Sequence, residues 1–490
     1  MDKLFNIKNS INKVKMQMLH DFSCEILRTI GMRFLSNDII DALEKNGSKV
    51  DRNSNTAMIP QKLIEEKLWE FSKEISCGRK HFMLNGGVAY DVGERILCKF
   101  GSIAPRFFSW DKKFEREATE EDLINSIRLG EAIDEIGMVG CPVYAKVIQG
   151  IKVNPNFIPI VNAMMLARYT KKLGNSEINS TKQLKYLIEI GIVIKGSLEA
   201  YKKNPCFLTA KESISPLLLD SSACEVLVAL AKQGLPATMI PMPIMGASVP
   251  ITISGAVAVT NAEILATMTA LRCIAPDAMV GGGSMASYMD MRGKGIKFNV
   301  MDAIKVDLIL CQLYKEFYKL DYGFGVYSSD SKSLGTEILI ERLYKILGAF
   351  FVKKFNYVIG MYNQGMVFSP ELAIIEIEMI KNLHELYNSF EMGDLNEEMI
   401  GIIKNVKPGG NFMGEMHTLN NLRKTLRSKI LEEDYDINNK KKINDIFEKA
   451  NQSYKDILKN KAVYILSEDK QKEIDKIVTA AHKDIVGVEW

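Results

Sequence analysis

Residues 233–262 read QGLPATMIPMPIMGASVPITISGAVAVTNA, thirty positions without a formal charge. By hydropathy alone the run could span a bilayer, but Pro236, Pro241, Pro243 and Pro250 forbid one continuous helix. It divides better into a strand, Ala237 to Met242, a turn around Gly246, and a helix opening near Thr252 or Ser254. That helix carries Val257, Ile264, Met268 and Leu271 at helical spacing, with Ala256, Ala258, Ala262 and Ala266 between them. So many small residues let a helix lie close against a sheet, and both of its faces read as buried. A second strand, Ala278 to Val280, runs into Gly281-Gly282-Gly283 and then into Ser287-Tyr288-Met289-Asp290-Met291-Arg292-Gly293. Strand, buried helix and strand make a βαβ unit of a parallel sheet, whose chemistry collects at the C-terminal ends of the strands.

Outward from this unit, apolar runs alternate with helical stretches from Ala118 onward. Strand candidates are Met138–Cys141, Ile190–Ile194, Cys206–Thr209, Ala237–Met242, Ala278–Val280, Gly323–Tyr327 and Val358–Met361, with an eighth near Ile402–Val406. Repeated βα units of this length favour a (β/α)8 TIM barrel over an open doubly wound sheet. No GxGxxG opens a helix after a strand, so a dinucleotide fold has little support. The expected division is a helical and mixed cap over 1–117, a barrel over 118–430 and a helical extension over 431–490. In the cap, Met18, Phe22, Ile26 and Ile30 form a stripe, Asn85-Gly86-Gly87 signals a hairpin, and Trp110 reads as packing rather than substrate contact. In the extension, Ile446, Ala450, Tyr454 and Leu458 share one helical face that packs outside the barrel.

Composition narrows the function. The 63 basic and 60 acidic residues nearly cancel, which gives no electrostatic reason to expect nucleic acid or an anionic membrane as partner. Lys440-Lys441-Lys442 reads as a solvated face. The start, MDKLFNIKNSINKVK, has no apolar core of a signal peptide, so a cytoplasmic protein without a membrane span is expected. The eight cysteines form no CxxC and read as reduced thiols, and the five histidines form no HxxH or HxxxH pair. No ligand cluster argues for a bound metal.

Two stretches, MPIMGASVPITISGAVAVTNAEILA and SYMDMRG, together resemble the trimethylamine/glycine betaine corrinoid methyltransferase family. The blocks Ser329-Asp330-Ser331-Lys332 and PGGNFMGEMHTLNNLR (408–423) agree with it in order and spacing. The resemblance implies a TIM barrel that moves a methyl group from a quaternary, betaine-like amine to Co(I) of a corrinoid (cobalamin) on a separate corrinoid-binding protein. No pyrrolysine is written here, so the non-pyrrolysine branch is the closer comparison. There are departures: Asp290-Met291-Arg292-Gly293-Lys294 lacks the family's threonine. Asn299-Val300-Met301-Asp302 and Leu334-Gly335-Thr336-Glu337 replace two further loop motifs. These motivate two competing readings, a barrel that binds an amine or corrinoid protein without turnover, and a metal-independent lyase.

Site candidates follow from strand ends and from the resemblance together. Asp290, Asp330 and Lys332 are the candidate catalytic groups, with a structural Asp290–Arg292 ion pair as the alternative. Aromatic faces suit a cation that cannot donate a hydrogen bond, which nominates Tyr288, Phe324, Tyr327 and Tyr362, beside Tyr322 and Tyr357. Arg292 offers a fork for a betaine carboxylate, and His417 offers a hydrogen bond to substrate or corrinoid. Gly281, Gly282, Gly283, Gly409, Gly410 and Asn411 are the candidate corrinoid contacts. A homo-oligomer is a possible assembly.

Overall fold

The computed structural model describes residues 11–76, 97–101, 104–293, 295–320, 322–324, 329–352, 356–388 and 395–422. In the extension it describes 428, 430–432, 435–436, 441–442, 445–460 and 464–490. Eight short parallel strands succeed one another along the chain. They are β1 (Leu97–Phe100), β2 (Ile136–Gly140), β3 (Leu173–Asn175), β4 (Phe207–Leu208 and Ala210–Lys211), β5 (Ala237–Met239), β6 (Val280–Ser284), β7 (Tyr322–Phe324) and β8 (Asn356–Ile359). Each pairs with its predecessor through β7, β4 bridging the two recorded sheets through Thr209. The last strand pairs with the first, Tyr357 opposite Cys98 and Ile359 opposite Phe100. Just past β7 and β8, Gln364 and Asn363 donate backbone N–H bonds to the Ser329 and Ser331 carbonyls (2.8 and 3.1 Å), which draws the two ends together. Sequential parallel order with strand 8 against strand 1 is a (β/α)8 barrel.

Sixteen α-helices occur among the described residues. Three precede the barrel: α1 (Lys13–Thr29), α2 (Asn37–Lys45) and α3 (Gln61–Ser76). Its wall is α4 (Glu120–Ala132), α5 (Ile158–Tyr169), α6 (Thr181–Lys195), α7 (Leu198–Lys203), α8 (Ser221–Gln233), α9 (Ile253–Ile274), α10 (Met301–Gln312), α11 (Thr336–Phe351) and α12 (Pro370–Asn388). Beyond it come α13 (Glu397–Val406), α14 (Met416–Leu422), α15 (Ile446–Asn460) and α16 (Glu468–Val486). Local sequence sets many of these boundaries. Thr119 and Asp122 form a reciprocal capping box at α4, Ser180 and Asp220 cap α6 and α8, and Gly196 and Gly234 end them at positive φ.

The uncharged run becomes β5, a connecting stretch and α9, whose residues from Ala256 to Arg272 are all buried except the half-buried Val259. α9 is the one described helix long and apolar enough to cross a membrane, yet 83% of its apolar window is buried inside the protein. β6 lies beneath it, with Met239 of β5 bonded to Thr267, α8 and α10 flank it, and α1, α2 and α3 cover its outer face. Packing of the N-terminal helices on α9 explains why it needs no polar face. Gly282 sits under Ile264 so closely that a Cβ there would lie 2.6 Å from Cγ2.

Several expectations change. The first strand is Leu97–Phe100, so the barrel begins before residue 118, inside the segment expected to be cap. Ile190–Ile194 lies within α6 and Ile402–Val406 within α13, because N-caps upstream (Ser180, Asn396) start helices through those β-branched runs. Three of the four residues of the α1 stripe are turned outward: Met18, Phe22 and Ile30 are exposed, while Ile26 is buried with Met16, His20, Ser23, Cys24 and Leu27. The Asn85-Gly86-Gly87 hairpin lies outside the described residues. α15 does pack outside the barrel, on α12 and α4, where Phe447 stacks on Trp110 at 5.8 Å.

Candidate active site at the C-terminal mouth

Alternation along the strands assigns the barrel interior. Gly174 and Ser176 face helix α5, Ser176 Oγ donating to the Pro159 carbonyl at 2.9 Å, so Asn175 and Glu177 face inward. Lys211 Nζ donates outward to the Ile178 carbonyl and Asn179 Oδ1, and Ser213 Oγ donates to Glu263 on α9, so Ala210 and Glu212 face inward. Met239 accepts from Thr267 on α9, leaving Thr238 inside. Gly282 faces α9, so Gly281 and Gly283 line the interior, where a Cβ on Gly283 would meet the Gly323 carbonyl at 2.7 Å. Phe100 and Val139 both face Gly130 of α4, which turns Lys99, in register with Met138, inward.

Two carboxylates therefore stand at the ends of β3 and β4. Burial, together with the charge of Glu177, holds the Glu212 carboxyl above its ordinary range, although Lys211 opposes the shift. Glu212 is also exposed to solvent. The two facts agree for a side chain standing in a concave mouth, open to water but surrounded by protein. These inward residues escaped the sequence reading because β3 is only three residues long and was not recognised. Counting inward positions past Leu208 would have reached Glu212.

Short sheets extend the mouth beyond the strands. Ile244–Met245 pairs in parallel with Ser287–Asp290, which turns back antiparallel into Gly295–Lys297. Above β8 and β1, Met361–Tyr362, Val367–Phe368, Arg106–Ser109 and Phe114–Glu117 form a second small sheet. The two walls meet where Gln364, in the turn between Tyr362 and Val367, donates to the Ile296 carbonyl at 2.5 Å.

The sequence-nominated residues fall into different places. Asp290 is buried at the hairpin end and carries the Arg292 guanidinium, Nε and Nη2 each 2.9 Å from one oxygen. The Arg292 side chain is 81% exposed, so the fork serves the hairpin turn and not the interior. Tyr288, on the same strand, is half-buried. Asp330 accepts from the backbone N–H groups of Phe298 and Asn299 at 3.0 and 2.8 Å, and Lys332 is exposed. Tyr362 is fully buried, its hydroxyl donating to Glu115 at 2.9 Å, while Tyr322 and Tyr357 are core residues. Phe324 ends β7, and Tyr327 lies outside the described residues.

Of the glycines, Gly281 and Gly283 line the interior and Gly282 is a packing position. Gly409, Gly410 and Asn411 make an exposed turn between α13 and α14, where Asn411 Oδ1 accepts from Met413 N at 3.1 Å. His417 lies half-buried on α14, just past that turn. The Asn261-Ala262-Glu263 motif is structural. Asn261 donates to Ser23 and Tyr318, and Glu263 accepts from Ser213 Oγ, Ser215 Oγ and Leu217 N at 2.6, 2.8 and 2.8 Å. No group of three or more His, Cys, Asp or Glu among the described residues is arranged to hold a metal ion.

The chain is 24% identical over 418 residues to the trimethylamine methyltransferase MttB of Desulfitobacterium hafniense, covering 84% of this chain and 82% of that protein. It is 23% identical to a glycine betaine methyltransferase of the same species, covering 86% of each. It is 22% identical to the proline betaine:corrinoid methyltransferase of Eubacterium limosum, covering 81% of each. Among solved structures, the monomethylamine methyltransferase MtmB of Methanosarcina barkeri aligns with a TM-score of 0.47 at 9% identity, over 91% of this chain and 88% of that one. The model of the family described as trimethylamine methyltransferase (MTTB) matches residues 4–485, nearly the whole chain, and the protein belongs to that family.

Proposed function

We propose that this protein is a corrinoid-dependent methyltransferase that takes a methyl group from a quaternary amine and delivers it to the corrinoid of a separate protein. The observation that carries the reading is the family match across residues 4–485. Relatives named for trimethylamine, glycine betaine and proline betaine support a methylated-amine donor.

The geometry suits such a donor. A quaternary ammonium ion donates no hydrogen bond, so charge and shape must hold it. Glu177 and Glu212 place negative charge at the mouth, and Gly281, Gly283 and Gly323 leave the β6–β7 wall, beyond β5, without side chains. The reduced cobalt of the partner's corrinoid supplies the nucleophile, so the barrel needs no strong base of its own. Its residues bind the cation, orient one N-methyl group toward the open end and limit water around it. An acceptor that arrives on another protein fits a barrel mouth flanked by raised walls rather than a closed pocket.

The test is a methyl-transfer assay with the purified chain, a panel of quaternary amines and reduced cobalamin, followed by the change in cobalt absorbance on methylation. Transfer from at least one amine supports the reading. Tight amine binding without transfer, even with reduced corrinoid protein, would favour a barrel that binds but does not turn over.

A further inference from the structure

We propose that Asp330 is a positioning residue that fixes the 287–297 hairpin as one wall of the mouth; this rests on the methyltransferase reading above. Asp330 lies past β7, yet its carboxylate serves two other loops. Oδ1 accepts from Phe298 N at 3.0 Å and from Gln364 Nε2 at 3.3 Å, and Oδ2 accepts from Asn299 N at 2.8 Å. Phe298 and Asn299 are the first residues after the hairpin returns. Gln364, from the loop after β8, also donates to the Ile296 carbonyl at 2.5 Å, within the returning strand itself.

The carboxylate is held in place from behind. Glu341 on α11 accepts from Ser329 Oγ, from Asp330 N at 3.0 Å and from Ser331 N at 3.3 Å. The same Oε2 accepts from Asn299 Nδ2 at 3.1 Å. Backbone bonds from Asn363 and Gln364 to Ser331 and Ser329 complete the connection. Loops following three successive barrel strands, β6, β7 and β8, are thus joined through one side chain. Charge-assisted bonds from a carboxylate to backbone N–H are the stronger kind, and such a junction leaves the loops one arrangement.

The hairpin carries Tyr288, Asp290 and Arg292, and its first strand continues β6 beyond the barrel. Asp290 and Arg292 bond each other across the hairpin turn, and the first strand is paired with Ile244–Met245. Asp330 and Gln364 tie the returning strand to the loops after β7 and β8. The Ser329-Asp330-Ser331 block therefore shapes the site from a distance and does not touch the reacting atoms.

The experiment compares wild type with Asp330→Ala, Asp330→Asn and Gln364→Ala as full-length proteins. Backbone hydrogen–deuterium exchange of the 287–300 segment reads the clamp without reference to activity. About tenfold faster exchange there, with β2 and α9 unchanged, is expected. In the methyl-transfer assay, KM for the amine is expected to rise about five- to tenfold with kcat within about threefold, as for a lost positioning contact. The Asn variant, which keeps one acceptor oxygen, is expected to fall between Ala and wild type on both measures. Unchanged exchange in all three variants would overturn the clamp. A drop in kcat of about a hundredfold or more with unchanged KM would instead place Asp330 at the chemistry. If wild type transfers no methyl group, the functional reading fails, while the exchange measurement still decides the clamp. If Asp330→Ala does not fold, Asp330→Asn and Gln364→Ala carry the comparison.

Discussion

The guanidinium of Arg292 lies flat against the carboxylate of Asp290, two residues away, with both Nε and Nη2 at 2.9 Å. Arg292 N also bonds the same carboxylate at 3.0 Å. The turn closes on itself, and the fork that a betaine carboxylate would need is occupied.

The first prediction follows directly. Arg292→Lys is expected to change the affinity for glycine betaine and for tetramethylammonium by the same small factor, about twofold or less, since the Arg292 side chain is exposed. Calorimetric titration of both ligands checks it. A loss confined to the betaine would return Arg292 to the role of a carboxylate anchor.

Glu212 gives the second. Its carboxyl titrates above the ordinary range because burial and Glu177 both disfavour its charge. A bound permanent cation favours that charge and pulls the titration back down. Binding of tetramethylammonium is therefore expected to weaken as pH falls through the raised value, and to release protons there. Glu212→Gln should cost about tenfold in affinity, roughly 1.4 kcal/mol. Titrations in buffers of different ionisation enthalpy would expose the proton release, and its absence would separate Glu212 from the cation.

Asp307 on α10 gives the third. It accepts from Ser284 Oγ and Ala286 N below the mouth, and burial pushes it up to about 6. An acid raised on folding holds more protons folded than unfolded between its two pKa values. Stability from this group is therefore greatest below the unfolded value and falls as pH rises toward 6. The total is on the order of 3 kcal/mol at one unit per 1.36 kcal/mol. Asp307→Asn should flatten the slope of melting temperature between about pH 4 and pH 6. An unchanged slope would show that Asp307 does not set it.

Fourth, Gly282→Ala should destabilise the barrel by about 1–3 kcal/mol through overpacking against α9. The contact is with Ile264 Cγ2, a branch close to the backbone that cannot swing away. Ile264→Ala alone should also destabilise, but the double variant should recover part of the loss. Denaturant unfolding of the four proteins measures the coupling, and strict additivity would rule out the contact.

The sequence by itself determined the barrel, the strand–helix division of its apolar centre and the family. Prolines cut the 233–262 run, small residues marked a helix pressed on a sheet, and the motif order carried the resemblance. These are local signals: backbone chemistry and periodicity act within a few residues. The extent of the barrel was less legible, since β3 has three residues and no period, while Ile190–Ile194 looks like a strand and is helix. Only the tertiary structure decided what the charged motif residues do. Asp290 and Arg292 are near in sequence, so their pairing was foreseeable, but Asp330 meets Phe298, Asn299 and Gln364 across three loops. Glu177 and Glu212 come together only when β3 lies beside β4 and both turn the same phase inward. A carboxylate's role depends on which donors and charges surround it, and that neighbourhood is assembled by strand register, which no single stretch of the chain encodes.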